Sequence, residues 1–289
     1  SYGYTDTFSE VFGVVGTSLA DTFIGDPNAP PYGAPTYVAA ASSDGFFNYE
    51  GLAGDDTITG STADGAYDRL DYAWDAGHGG PSGVVVDLAQ GTATDGFGDT
   101  DKFSDIEMVR GTAYDDILTG DPSEALVQWD PLAGNDTING TASSIDEVDY
   151  WPEVEWFGGS QGVEVDLSQG TATDSFGNTD NLTNVEWAIG TDLRDWLLGD
   201  GADNRLTGNA GDDDFIASDG DDELIGGAGS DTAFYTNLNS IGLVLNNTPV
   251  ERDGVASFTV DKANGSLGLS SPDLGMDSLS SIENFHASN

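Results

Sequence analysis

The chain has 289 residues, of which 52 are acidic and 7 are basic, so its formal net charge is −45. A charge of that size repels nucleic acid and anionic lipid, and we expect neither as a partner. The absence of cysteine excludes disulfide bonds and thiolate metal sites, and no apolar run approaches the ~18 residues of a membrane span. Aromatic residues make up 10% of the chain, which supplies a core that a disordered acidic tail would lack.

Degenerate repeats follow one another along the chain. The clearest pair is residues 84–121 and 163–200, which match at an offset of 79 residues. Proline-rich residues 25–50 have no counterpart in later copies and are predicted to form a surface insertion. Both termini fall inside a repeat, so we expect either a segment of a longer chain or a protomer whose ends are covered by a neighbouring copy. The predicted units are 1–60, 61–140, 141–234 and 235–289.

Local patterns along each unit indicate strands and turns, with no long stretch of helical periodicity. Apolar side chains recur at every second position in residues 84–88 (VVVDL), which is typical of a half-buried strand. The pattern returns at residues 163–167 and again at 241–245. Residues 277–289 repeat the segment that begins SDIEMVRG at residue 104. The sequence therefore predicts short strands that recur with the repeat.

Residues 190–234 divide without a gap into five nonapeptides, GTDLRDWLL, GDGADNRLT, GNAGDDDFI, ASDGDDELI and GGAGSDTAF. Position eight is apolar throughout, and position six is occupied by Asp195, Asn204, Asp213, Asp222 and Asp231. Isolated copies begin at residues 16, 51, 111 and 131. Their position-six residues are Asp21, Asp56, Asp116 and Asp136.

The nonapeptide spacing predicts a coil with a metal-binding edge. Six glycine- and aspartate-rich residues form a turn, and three form a strand whose middle side chain faces the interior. Two nonapeptides complete one coil, so Asp195, Asp213 and Asp231 stack on one edge while Asn204 and Asp222 stack on the other. Carboxylates ~4.8 Å apart repel one another by about 1 kcal/mol in water and by more in a partly dehydrated turn. Calcium suits such a turn because it accepts six to eight oxygens in flexible geometry, whereas zinc prefers His or Cys.

The nonapeptide resembles the GGxGxDxUx repeat of RTX calcium-binding proteins, also called the haemolysin-type calcium-binding region. The resemblance implies an all-β fold, a right-handed parallel β-roll or β-solenoid with short strands, Gly/Asp turns and inserted loops. It also implies that several Ca²⁺ ions are held by the position-six residues and by backbone carbonyls. The carbonyls implied are those of Gly211, Gly220, Gly227 and Gly229.

Some residues depart from the family pattern or leave two interpretations open. Asn204 replaces an aspartate, and Thr17, Leu52 and Thr112 replace the second glycine, so we expect weaker or empty sites at those turns. The related segments DGFGDTD and DSFGNTD either bind further ions through their aspartates or are plain turns. The aspartates in question are Asp95, Asp101, Asp174 and Asp180.

No catalytic motif is present: the chain has no HExxH helix, no GxSxG elbow and no cysteine nucleophile. His78, in a glycine-rich stretch, is interpreted as an exposed loop residue. Trp151 and Trp156 are the candidates for a glycan-binding face, although packing between coils is an alternative interpretation for all six tryptophans. We therefore expect no enzymatic activity in this chain.

The leading hypothesis is a calcium-binding structural or adhesive segment of a secreted or cell-surface protein that folds on binding extracellular calcium. The resemblance implies type I secretion from a Gram-negative bacterium, in an adhesin, a surface layer or a filament. Other copies of the chain or a cell-surface glycan are the expected partners besides calcium. The alternative is a non-catalytic RTX module of a secreted polysaccharide- or protein-degrading enzyme.

Overall fold

A computed structural model describes residues 13–25, 46–62, 67–216, 218–235, 244–252, 255–261, 276–282 and 284–287. The first half of the chain contains β1 (Gly13–Val15), β2 (Thr22–Ile24), β3 (Phe46–Glu50), β4 (Thr57–Thr59), β5 (Tyr67–Asp71), α1 (Asp75–His78), β6 (Val85–Asp87), β7 (Thr92–Thr94), β8 (Thr100–Ser104), β9 (Met108–Arg110), β10 (Ile117–Thr119), β11 (Leu126–Asp130), β12 (Thr137–Asn139) and β13 (Ile145–Asp149). The second half contains α2 (Trp151–Glu155), β14 (Glu164–Asp166), β15 (Thr171–Thr173), β16 (Thr179–Thr183), β17 (Trp187–Ile189), β18 (Trp196–Leu198), β19 (Arg205–Thr207), β20 (Asp214–Ile216), β21 (Glu223–Ile225), β22 (Thr232–Tyr235), β23 (Val244–Arg252), β24 (Val255–Asp261), β25 (Met276–Ser280) and β26 (Asn284–Ala287).

The strands form two sheets between which the chain alternates. One sheet has 12 strands in the order β1-β3-β5-β9-β11-β13-β17-β19-β21-β25-β24-β23. The other has 14 strands in the order β2-β4-β8-β7-β6-β10-β12-β16-β15-β14-β18-β20-β22-β26. Within the nonapeptide region β18, β20 and β22 pair in parallel in one sheet, and β17, β19 and β21 pair in parallel in the other. The predicted all-β parallel roll is confirmed.

Side chains at position eight of the nonapeptides form a continuous row in the core, beside buried residues of the other strands such as Val109 and Trp129. In the nonapeptide region Leu197 pairs with Phe215, and Phe215 pairs with Ala233, so the same position stacks from coil to coil. All three side chains are fully buried. From β4 onward the three-residue strands all bury the middle side chain, as a two-residue period dictates, while the outer side chains range from buried in β9 to exposed at Val85 of β6.

Each 79-residue unit interrupts the roll with a three-stranded meander. Strand β7 lies antiparallel between β8 and β6, while β8 pairs in parallel with β4 and β6 pairs in parallel with β10. Strands β14 to β16 repeat this arrangement between β12 and β18. The short helices α1 and α2 precede the meanders. In the described residues no helix is long and apolar enough to cross a bilayer.

Two predicted segments differ from the structure. Phe46–Glu50, placed within the insertion, forms β3, which pairs with β1 and β5, and Tyr49 is buried. These residues are therefore part of the roll, because their strand register continues the sheet. The remaining insertion residues, 26–45, lie outside the described part of the chain, as do residues 1–12 of the N-terminal end predicted to associate with another copy.

The last predicted repeat is also arranged differently from the earlier ones. Residues 244–247 of the GLVLNN segment lie in strand β23. This strand pairs antiparallel with β24 in the 12-stranded sheet, whereas β6 and β14, the strands with the matching sequence pattern, lie in the other sheet. Strand β25 lies in the 12-stranded sheet, although the matching strand β8 lies in the 14-stranded sheet. The similarity of sequence therefore does not fix which sheet a strand joins.

Buried ion pairs and tryptophans stabilise the 12-stranded side. Arg110 forms ion pairs with Asp71 at 3.2 Å and Asp130 at 3.0 Å, and its guanidinium lies 5.2 Å from the Trp156 ring centroid. Trp129 is fully buried and its indole N–H donates to Asp146 at 3.1 Å, so Trp129 packs between coils.

Trp156 is 52% exposed and lies edge-on to Trp151, with ring centroids 5.0 Å apart. A glycan-binding role for this pair stays a prediction. His78 is exposed, but it belongs to α1 and not to a loop, and its Nδ1 lies 2.9 Å from the carbonyl oxygen of Trp74.

Candidate metal centre

Three stacks of glycine- and aspartate-rich turns lie at one edge of the 14-stranded sheet, each turn leading into a strand of that sheet. We call them stacks one, two and three, and we call the turns of each stack its first, middle and third turn. Stack one consists of residues 16–21, 51–56 and 96–101; stack two of 111–116, 131–136 and 175–180; and stack three of 190–195, 208–213 and 226–231.

A hydrogen-bond ladder joins the position-six residues within each stack. In stack three the N–H of Asp195 donates to Oδ1 of Asp213 at 2.8 Å, and the N–H of Asp213 donates to Oδ1 of Asp231 at 3.0 Å. The same bonds join Asp21 to Asp56, Asp56 to Asp101, Asp116 to Asp136 and Asp136 to Asp180. One oxygen of each accepting carboxylate is therefore occupied by the neighbouring turn, and the carboxylates stack as the repeat spacing predicts.

Glycine at position one lets each carboxylate fold back over its own turn. A Cβ atom added at Gly51, Gly111, Gly190, Gly208 or Gly226 would overlap Oδ2 of the aspartate five residues later. Glycine leaves room for the carboxylate in these five turns, whereas Pro131 occupies the same position in the middle turn of stack two.

The middle turns contain buried carboxylate oxygens without a donor. Asp56, Asp136 and Asp213 are each at most 1% exposed, and Oδ2 of each accepts no hydrogen bond. None of the ion pairs between described residues includes these three side chains. Burial, with neighbouring carboxylates adding to it, raises the pKa of Asp56 to about 7, that of Asp213 to about 8 and that of Asp136 to about 10. Buried, unpaired acceptors of this kind fit a bound cation.

Carbonyl oxygens supply the other ligand type that calcium accepts. Gly211, Gly220, Gly227 and Gly229 all have positive φ angles, from 98° to 154°. A Cβ on Gly229 would overlap the Gly211 carbonyl oxygen, which shows how closely successive turns approach. Within the described residues no group of three His, Asp or Glu side chains converges well enough to hold a metal alone. A cation at these turns would therefore need backbone carbonyls, as the resemblance implies.

The opposite edge carries Asn204 and Asp222, as predicted. The N–H of Asn204 donates to Oδ1 of Asp222 at 3.1 Å. The Asn204 amide also accepts from the N–H of Asp200 at 2.7 Å and donates to the Glu186 carbonyl oxygen at 3.1 Å. Protein groups therefore occupy both ends of this amide, and the expected weakening of that edge stays a prediction.

The two meander segments substitute for nonapeptide turns. Asp101 and Asp180 occupy position six of the third turns, and their Oδ2 atoms accept the hydroxyl protons of Tyr72 at 3.1 Å and Tyr150 at 2.9 Å. Asp95 accepts the N–H groups of Phe97 and Asp99 at 2.9 and 2.8 Å, and Asp174 does the same for Phe176 and Asn178. Through these bonds the four aspartates close turns. Oδ2 of the fully buried Asp95 accepts no hydrogen bond, and ion binding by these aspartates stays a prediction.

Sequence reasoning did not find the residues that support these turns. Besides the two tyrosines they are Asp75 and Glu153, whose carboxylates accept the N–H groups of Gly96 at 3.0 Å and Ser175 at 2.8 Å. A sequence feature that could have identified the two tyrosines is the dipeptide Asp-Tyr, which occurs at 71–72 and again at 149–150. The ligand roles of all the predicted metal residues stay predictions.

Comparison with known proteins agrees with the geometry. The family model described as RTX calcium-binding nonapeptide repeat (4 copies) matches residues 48–64, 189–224 and 198–233. These ranges include the middle turn of stack one and all of stack three. No curated protein matches the chain. The chain carries RTX calcium-binding nonapeptide repeats and is a calcium-binding module.

Proposed function

We propose that this calcium-binding module is a structural or adhesive segment of an exported surface protein, and that it folds when it meets extracellular calcium. The proposed setting is the cell surface of a Gram-negative bacterium reached by type I secretion. The proposed role is mechanical and has no catalytic step. The RTX repeats support this setting, and so does the composition of the chain, which has 52 acidic and 7 basic residues.

The observation that carries the proposal is the burial of unpaired carboxylate oxygens in turns that stack on other carboxylate-bearing turns. Asp136 and Asp213 are fully buried and each has an oxygen without a donor. An ionised carboxylate without a partner is costly to bury, and similar charges nearby increase the cost. At neutral pH the folded state therefore requires either protonation of these groups or a bound cation. A hard divalent cation bound between these carboxylates replaces their mutual repulsion with attraction to the ion, and so favours the folded state.

This dependence supplies a switch between two compartments. Where free calcium is scarce, the carboxylate rows repel one another and the chain stays unfolded, which suits transport of an extended polypeptide. Extracellular calcium modules bind at ~10⁻⁴ to 10⁻³ M, so the ion drives folding only after export. The long parallel stack of coils then gives an extended, rigid spacer.

A chelator titration followed by circular dichroism tests the proposal. We expect the β signal of the folded protein to disappear as EDTA removes calcium at pH 7.5 and to return when calcium is restored. Magnesium should restore little, because it requires near-octahedral geometry and dehydrates reluctantly. A spectrum that does not change in excess chelator would rule out calcium-dependent folding.

Two variants make the titration specific for the buried carboxylates. Asp136→Asn removes a fully buried carboxylate, whereas Asp115→Asn removes an exposed one from the neighbouring turn of the same stack. Both make the net charge less negative by one unit. We expect the calcium concentration at half-folding to change at least threefold for Asp136→Asn and by much less for Asp115→Asn. Equal shifts would show that only the overall charge matters.

A further inference from the structure

The residue at position two divides the turns of the stacks into two classes. In the middle turns, Leu52, Leu132 and Asn209 adopt left-handed backbone conformations with φ of 63°, 66° and 72°. Such conformations are uncommon for residues other than glycine, and rarest for bulky ones such as leucine. In the first turns the residue is threonine, at positions 17, 112 and 191, and none of these has a positive φ. The same order, first a threonine turn and then a left-handed turn, occurs in all three stacks.

Threonine closes the first turns with its own donors. In stack three the N–H of Thr191 donates to Oδ2 of Asp195 at 2.7 Å and its hydroxyl donates to Oδ1 at 2.9 Å. Oδ1 also accepts the N–H of Val163 at 2.7 Å. Thr112 and Asp116 form the equivalent bonds in stack two, at 2.6 and 3.0 Å. Both oxygens of the position-six carboxylate are therefore occupied by protein donors in these two turns.

Stack one repeats the threonine closure at its first turn. The N–H and the hydroxyl of Thr17 both donate to Oδ2 of Asp21, at 2.7 and 3.0 Å. The hydroxyl also accepts the N–H of Leu19 at 3.2 Å, as the hydroxyls of Thr112 and Thr191 do at the same place in their own turns, both at 3.0 Å. The threonine side chain thus organises the whole turn.

The left-handed conformation removes this closure in the middle turns. No donor reaches Oδ2 of Asp56, Asp136 or Asp213, although each side chain is at least 99% buried. Oδ1 of each is occupied by the N–H of the first-turn aspartate, so Oδ2 is the oxygen left to bind a ligand. An acceptor buried without a partner is unfavourable unless something binds it.

Carbonyl oxygens of the first turns lie against the middle turns. A Cβ on Gly54, Gly134 or Gly211 would approach or overlap the carbonyl oxygens of Leu19, Tyr114 and Leu193 respectively. Each middle turn therefore contains a donor-free carboxylate oxygen and packs against a backbone carbonyl oxygen of the first turn. In stack three the Gly226 carbonyl oxygen also lies near the Cβ position of Gly208, which Oδ2 of Asp213 approaches. This is the ligand set of a hard divalent cation. A threonine turn instead directs N–H and O–H dipoles at its carboxylate, which repel a cation.

We propose that calcium binds at the left-handed turns, at Oδ2 of Asp56, Asp136 and Asp213, and that the threonine turns at Asp21, Asp116 and Asp195 close without an ion. The inference rests on the proposed calcium-dependent function and assigns its sites. By its backbone the turn 226–231 belongs to the left-handed class, because Gly227 has φ of 102°. The turns 96–101 and 175–180 belong with the closed class, because tyrosine hydroxyls occupy their carboxylates.

Bound-ion counts on folded variants test the assignment. We would dialyse the full chain to equilibrium against saturating calcium and count the bound ions per chain as the excess of calcium on the protein side, measured by elemental mass spectrometry. Asp213→Asn should lose one ion relative to the wild type, and Asp195→Asn should lose none. Asp219→Asn, at an exposed position of the opposite-edge turn that ends at Asp222, is the charge-matched control and should lose none.

Loss of an ion from Asp195→Asn, or no loss from Asp213→Asn, would overturn the assignment while leaving calcium binding intact. A wild-type chain that retains no calcium would instead overturn the proposed function. If a variant does not fold, crystals of the wild-type protein grown with terbium answer the same question. Anomalous peaks beside Oδ2 of Asp56, Asp136 and Asp213, and none within the three threonine turns, are expected. Peaks at the threonine turns would refute the inference.

Discussion

Thr191→Val is the substitution that most directly tests how the first turns are held. Valine has the shape of threonine, and the side chain is fully buried, so the change removes the hydroxyl and little else. Two hydrogen bonds disappear: the one from the hydroxyl to Asp195 at 2.9 Å and the one from the N–H of Leu193 to the hydroxyl at 3.0 Å. Bonds to a charged group contribute about 1.5–3 kcal/mol and neutral ones about 1 kcal/mol. The expected loss of unfolding free energy is therefore about 2–4 kcal/mol.

Guanidinium unfolding followed by tryptophan fluorescence, at saturating calcium, measures this loss. Thr191→Ser keeps the hydroxyl and serves as the control, with an expected loss of about 1 kcal/mol or less from the missing methyl group. The ion count of both variants should equal that of the wild type. A valine variant as stable as the wild type, or a serine variant as damaged as the valine one, would refute the role given to the hydroxyl.

Two further predictions follow from the buried carboxylates. Tyr150→Phe removes the hydroxyl that donates to Asp180 at 2.9 Å and should lower the unfolding free energy by about 1–3 kcal/mol; Tyr114→Phe, at a side chain 40% exposed, should change it little in the same denaturant titration. Without calcium the fold should be more stable in acid. Burial raises the pKa of Glu107 to about 8 and that of Asp75 to about 7, both above their unfolded values near about 4. The folded chain therefore holds more protons between those values, so its stability is fully present below pH ~4 and is lost as the pH rises through about 7 to 8. Circular dichroism in EDTA should show more β structure at pH 5 than at pH 8, and the reverse order would contradict this.

The nonapeptide region was predictable because a single periodic pattern determines it. Alternation of Gly/Asp turns with an apolar position eight places Leu197, Phe215 and Ala233 in one buried row, and the structure has them there. The strand at 84–88 was also predictable, since every second side chain is apolar. The pairing of that strand was not, because an antiparallel neighbour and a parallel neighbour satisfy the same alternation.

The candidate site was only partly predictable for a related reason. Leucine in place of the second glycine suggested a weak site at Leu52, yet the backbone there is left-handed, as glycine would allow. Tyr72 and Tyr150 were not recognised, because their partners Asp101 and Asp180 are about thirty residues away in sequence. Contacts of this range are created by the meander and not by the local pattern.

The sequence by itself determined the coil, its acidic edge and the chemistry of the ion it needs, because charge, glycine spacing and apolar period are local properties. Only the tertiary structure decided which carboxylates lack a partner. The sequence shows threonine at position two of the first turns, but whether the second oxygen of an aspartate meets that threonine, a tyrosine or no donor depends on the backbone conformation at position two and on the neighbouring coil. The presence or absence of a donor affects stability because the oxygen is buried. If it were exposed, water would supply the hydrogen bond.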